Sequence, residues 1–165
     1  MRAEEIAEML DLEPHPEGGY YREIYRSDEE IAGGALPERY DEARAAGTAI
    51  YYLLTSDTFS AIHRLRSDEI IHFYLGDPVT VLQLRGDGAS ETVTLGQKIA
   101  DGEKPVCVVS RGTWFGMRVQ NDGSYALLGT TVAPGFDFDD FEIGDEEQLT
   151  TDYPDRADLI RHLTG

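Results

Sequence analysis

The chain of 165 residues predicts an all-β sandwich or barrel. Three observations carry that reading. From Thr48 onward the sequence breaks into short segments rich in β-branched and aromatic residues: TAIYYLLTS, FSAIHRLR, EIIHFYLG, PVTVLQLR, SETVTLG, VCVVS, WFGMRVQND and YALLGTTVAP. Turn signals separate them, at Ser56-Asp57, Gly76-Asp77-Pro78, Gly86-Asp87-Gly88, Asp101-Gly102 and Asn121-Asp122-Gly123. No helical periodicity falls between them.

In chain order, a first helix is expected from Arg2 to Asp11, with Ile6, Met9 and Leu10 on one stripe and Pro14 stopping it. HPEGGYYREIYRS then reads as a Pro/Gly turn followed by a strand from Tyr20 to Ser27. DEEIAGGALPERYDEARAAG is a polar insertion, either a hairpin tip or a short helix ending at Gly47. The β-rich segments follow. In the tail, TTDYPDRADLIRHLTG, the spacing of Leu159, Ile160 and Leu163 predicts a short closing helix. With no repeat and no linker, residues 1–165 are expected to form one domain.

Apolar residues make up 41%, enough for a globular core. No apolar run approaches the roughly 20 residues of a membrane helix. The acidic, amphipathic MRAEEIAEMLDLEP matches neither a signal nor a transit peptide, so a cytoplasmic location is expected. Cys107 is the single cysteine, which excludes an internal disulfide, and its apolar strand PVCVVS predicts an inert thiol. Asp and Glu number 32 against 14 Lys and Arg, a formal charge of −18. That balance argues against nucleic acids and anionic membranes as partners. With Lys98 and Lys104 the only lysines, it also fits a salt-rich host, where screening relieves self-repulsion.

Alternation places Phe59, Ala61, His63 and Leu65 on one face of FSAIHRLR, and Glu69, Ile71, Phe73 and Leu75 on one face of the next segment. His63 and Glu69 then stand at the two ends of one short turn. A histidine with a carboxylate is a standard arrangement for a general base. His72 joins them only if a bulge shifts the register. Phe115, Met117 and Val119 alternate on WFGMRV and, with Leu65, predict an apolar wall.

The spacing His63, Leu65, Glu69, Gly76 resembles the first cupin motif, with Leu65 where a second histidine is usual. SRGTWFGMRV resembles the core of the second motif, with Phe115 in place of its histidine. Together HPEGGYYREIYRS, SDEIIHFYLGDP, GTWFGM and VAPGFDFDDFE resemble the cupin type-5 family over Pro14 to about Leu163. The resemblance implies a jelly-roll barrel (a double-stranded β-helix) with short terminal helices, usually a homodimer, and a small-molecule pocket inside the barrel. By comparison with metal-free sugar-nucleotide epimerases of the same fold, it implies His63 as base, Glu69 behind it and a tyrosine as acid. Tyr51, Tyr52, Tyr74 and Tyr125 are candidates for that acid.

Leu65, His72, Tyr74, Phe115, Met117, Tyr51 and Arg64 are expected to line the pocket. No cofactor is expected, since two matching metal ligands are too few. Were a metal bound, His63, Glu69 and His72 would hold it. Three readings therefore stand: a metal-independent epimerase or isomerase of a carbohydrate or nucleotide sugar, a non-catalytic binding module, and a metal-dependent cupin enzyme. Arg22, Arg26, Arg64, Arg66, Arg111 and Arg118 supply cations for a diphosphate at the barrel mouth or pair with surface acids. In VAPGFDFDDFE the phenylalanines are expected to pack on the barrel, with the acids facing water, as a clasp near the dimer interface. His15 either lines a pocket or serves only the turn.

Overall fold

A computed structural model describes residues 1–120 and 122–165. The strands are β1 (Glu13–Pro14), β2 (Tyr20–Arg26), β3 (Glu30–Ile31), β4 (Arg44–Ala45), β5 (Thr48–Thr55), β6 (Ser60–Arg64), β7 (Asp68–Gly76), β8 (Val79–Leu84), β9 (Ser90–Leu95), β10 (Val106–Val109), β11 (Trp114–Val119), β12 (Tyr125–Ala133) and β13 (Glu142–Ile143). Helices α1 (Ala3–Met9), α2 (Glu146–Asp152) and α3 (Ala157–His162) flank them. Each β-rich segment from Thr48 onward forms a strand. Of the Asn121-Asp122-Gly123 turn, Asn121 lies outside the described residues. The polar insertion forms the small β3–β4 ribbon around a 3-10 turn, Gly33–Ala35.

Two antiparallel sheets make the jelly roll, ordered β1-β2-β5-β12-β7-β10 and β13-β6-β11-β8-β9. Side chains alternate across each sheet, so one residue in two enters the space between them. There Tyr52, Ile71, Phe115, Met117 and Leu128 pack into the main core. The terminal helices cover the outsides. Ile6 of α1 seals Leu53 and Leu127 on the six-stranded sheet, while Leu149 of α2, Ile160 of α3 and Leu163 just after α3 seal Ile62 and Leu82 on the other. Among the described residues no helix is long and apolar enough to cross a membrane.

The acids of VAPGFDFDDFE depart from expectation. Asp140 is buried and takes a two-pronged ion pair from Arg44, at 2.7 and 2.9 Å. A buried carboxylate needs such a partner to offset its lost hydration. Arg44 arrives from the β3–β4 ribbon and ties that insertion to the segment 136–141. Phe138 is 51% exposed rather than packed away, and stands at the rim of the cavity described next.

Candidate functional site

The turn between β1 and β2 delivers a carboxylate into the barrel mouth. Gly18 and Gly19 both have positive φ (+105° and +73°), which only glycine adopts freely. Gly18 also lies so close to β6 that a Cβ would sit 2.0 Å from the Phe59 carbonyl oxygen. This close approach is pinned by the Ala61 amide donating to the Glu17 carbonyl at 2.8 Å, and by the Tyr52 hydroxyl donating to the Gly18 carbonyl at 2.5 Å. The Glu17 side chain is thereby turned inward, 9% exposed.

A bulge in β6 brings its partners together. Phe115 pairs with His63 and Met117 with Ser60, so one extra residue on β6 puts Ser60 and His63 on the same face. Strict alternation had separated them. Ser60 donates to Glu17 Oε1 at 3.1 Å, and His63 Nε2 lies 3.1 Å from Glu17 Oε2. His63 is buried between Phe115 and Phe141, with ring centroids 4.2 and 5.1 Å away. Its Nδ1 donates to the Ala61 carbonyl at 2.7 Å, because a carbonyl can only accept. Nε2 is left facing Glu17 Oε2. Burial lowers the His63 pKa, opposed by the charge of Glu69, and burial raises that of Glu17. Both directions weaken the charged forms of the two groups.

Glu69, on β7, faces the same cavity. Among the described residues the carboxylate in contact with His63 is that of Glu17, while the Glu69 charge acts on the imidazole from farther off. Glu69 Oε2 is buried with no hydrogen-bond partner among the described residues. Burial pushes its pKa up to about 7, with the neighbouring Glu17 adding to the rise and the His63 charge and a hydrogen bond from Thr130 opposing it. Around these groups lies a cavity of about 500 Å³. Ile50, Leu65 and Val132 form apolar wall, and Tyr21, Phe136 and Phe138 supply aromatic rings near the opening. His15 also lines it, packed edge-on against Tyr21 at 4.5 Å, with its pKa lowered chiefly by burial.

The expected residues divide between this cavity and other places. His63, Glu69 and Leu65 line it, Phe115 backs the His63 ring, and Met117 lies deeper in the core. Tyr51, His72 and Tyr74 are a correction: they stand on the outer face of the six-stranded sheet. His72 contacts Thr131 Oγ1 at 3.2 Å, and Tyr74 is 43% exposed, its ring lying over Gly129. Alternation along β7 from the inward Glu69 puts His72 outward, and the irregularity in pairing with β12 comes after it, at Leu127/Leu128. Arg64 also points away from the cavity, bonding Glu142 at 2.8 Å and lying over the Trp114 ring. Of the remaining tyrosines, Tyr52 is internal with its hydroxyl engaged, and Tyr125 packs near α1.

This placement also tests a metal. Cupin metal sites gather three histidines and a carboxylate, but here two of those positions hold Leu65 and Phe115. His72 is on the other side of the sheet, and His63 Nδ1 is spent on the Ala61 carbonyl. Among the described residues no group of three or more His, Cys, Asp or Glu side chains could hold a metal ion. The donor set does not fit one.

Glu17 was the missing residue. Its signal was the HPEGG turn itself, an acid between a proline and two glycines in a segment already marked by resemblance.

A two-sheet jelly roll with a polar cluster in its mouth defines the cupin class. The Cupin_5 family model, described as Cupin superfamily (DUF985), matches residues 4–144, and the chain belongs to that family. Among solved structures it is similar to a hypothetical protein from Leishmania major, at 34% identity over 99% of both chains with a TM-score of 0.90. A protein from Shewanella oneidensis matches at 36% identity over 100% of this chain and 98% of its own, TM-score 0.87. Oxalate decarboxylase from Bacillus subtilis shares the fold alone, at 15% identity over 92% of this chain and 36% of its own, TM-score 0.54. No curated protein matches the chain.

Proposed function

We propose that this protein binds a small ring-shaped metabolite of the carbohydrate class in its barrel mouth and moves a proton on it, as an epimerase or isomerase, without a metal. The observation that carries the proposal is the pairing of two proton carriers in one cavity. Glu17 and His63 lie 3.1 Å apart, and Glu69, with a pKa of about 7, holds a buried oxygen without a partner among the described residues. A proton-transfer group works best when its pKa lies near the working pH. In the step envisaged, Glu69 takes the proton from a carbon beside a carbonyl, and the C–H electron pair moves into an enolate. The protonated Glu17 carboxyl returns a proton to the enolate carbon; Glu69 then gives its proton to water, and Glu17 takes one up from water.

The lining favours a sugar over a nucleotide sugar. Arg26 is the one arginine or lysine among the described lining residues, and its fork already grips Glu23 at 2.8 and 2.9 Å. Little remains for a diphosphate.

The test is proton exchange from deuterium oxide into a panel of keto and aldo sugars. The proposal predicts deuterium incorporation that Glu69→Gln and His63→Asn each reduce at least 100-fold while binding survives. Binding without exchange in the wild type would instead establish a non-catalytic binding module.

A homodimer also has a candidate surface. On the outer face of the six-stranded sheet Tyr25, Val106 and Val108 are 45–57% exposed. An apolar face suits the approach of two copies that each carry −18, because it brings few like charges together. Light scattering should give twice the chain mass at micromolar concentration, and Val108→Lys should return the monomer. A wild-type monomer would contradict this.

A further inference from the structure

We infer that the cavity is built for a ligand carrying a protonated amine, held by Glu69 and flanked by the rings of Tyr21, Phe136 and Phe138; the inference rests on the proposed function for its choice of cavity.

Three observations support it. Arg26 pairs with Glu23 and also donates to the Phe136 carbonyl at 3.1 Å, burial weakens the charges of Glu17 and Glu69, and Glu13 and Asp137 still line the mouth with no cation of the lining left to oppose them. The charge left over is negative, and it sits at a concave mouth that concentrates field lines. Secondly, Glu69 is 8% exposed and its Oε2 has no donor among the described residues, although it borders the cavity. A buried carboxylate oxygen without a partner calls for a donor from the ligand, and a charged donor repays the lost hydration best. Thirdly, aromatic faces carry negative potential and attract ammonium groups. An ordinary hydroxyl would satisfy the oxygen but draw nothing from the surplus acids or the rings. A protonated amine uses all three.

The groups facing Glu69 set the pH dependence. Glu17 from the β1–β2 turn, His63 from β6, Tyr52 from β5 and Thr130 from β12 surround it, with His15 beyond. Burial and Glu17 keep the Glu69 carboxyl partly protonated near neutrality, and an arriving cation reverses that. Binding of a strongly basic amine such as cyclohexylamine should therefore release a proton and tighten as pH rises from about 6 to about 8, whereas glucosamine, a weaker base, should bind best near neutrality.

The experiment is isothermal titration of the full chain with glucosamine, glucose, glucose 6-phosphate and cyclohexylamine, in two buffers of different ionisation enthalpy. The inference predicts that glucosamine binds at least tenfold more tightly than glucose, with proton release, and that glucose 6-phosphate binds worst. Glu69→Gln, which keeps the shape, should erase the preference for the amine. Glucose binding as tightly as glucosamine overturns the inference and leaves the proposed function standing. Cyclohexylamine binding while no sugar does upholds the amine and removes the carbohydrate. No binding by any probe overturns both. The wild-type proton release needs no variant, so poor folding of Glu69→Gln would not protect the inference.

Discussion

The two faces of the six-stranded sheet carry the same kinds of residue and do different things with them. Its inner face bears Glu69 and Tyr52, and its outer face Tyr51, His72 and Tyr74. Inside, Glu69 is buried beside Glu17 and His63, and its pKa moves to about 7. Outside, His72 and Tyr74 lie against each other with ring centroids 6.5 Å apart, at the surface. What separates the two is register and burial, not residue type. A side chain joins the site when a strand or turn aims it into the barrel and the barrel excludes water around it.

The largest way to break that contrast is to move the turn that supplies Glu17. Gly18→Ala meets the Phe59 carbonyl and forces a positive φ on alanine, so it should cost roughly 2–4 kcal/mol by urea denaturation. It should also withdraw Glu17 from His63. An unchanged midpoint would mean that the turn is not pinned as described.

Glu69→Gln acts in the opposite sense. In the unfolded chain the carboxyl ionises near 4.5, whereas in the native protein it does so near 7. The native state therefore holds more protons between these values, and its stability falls as pH rises through that window. The full difference corresponds to about 3 kcal/mol, present above about pH 7 and absent below about pH 4.5. Glutamine escapes it. The variant should be more stable than wild type at pH 8 by about 1–3 kcal/mol, and close to it at pH 4.5. Equal stability at both pH values would remove the strain assigned to this carboxylate.

The smallest effects belong to the outer face. His72→Ala should change stability by less than about 1 kcal/mol and leave ligand binding untouched. A loss of binding in that variant would return His72 to the site and reverse the comparison.

Much of the fold was readable because it depends on local pattern. Short β-branched and aromatic runs between Gly/Asp turns define β5 to β12, and Leu159, Ile160 and Leu163 announce α3. His63 and Glu69 were readable for the same reason, since alternation points both inward. What the pattern could not supply were contacts that depend on its interruptions. The extra residue in β6 puts Ser60 beside His63, and a glycine-bearing turn more than 40 positions upstream supplies Glu17. Arg44 and Asp140, likewise, are 96 positions apart, and no local signal marks the acid as buried rather than solvated.

The central claim is that the barrel keeps a carboxyl near its midpoint at neutral pH. Carbon-13 NMR of side-chain-labelled glutamate tests it directly, following every carboxyl resonance from acid to alkaline pH. The account predicts one glutamate signal that titrates near 7 in the wild type and disappears in Glu69→Gln. If the resonance lost in that variant titrates near 4.5 with the surface glutamates, Glu69 is an ordinary carboxylate and the proton-transfer site proposed for this cupin is wrong.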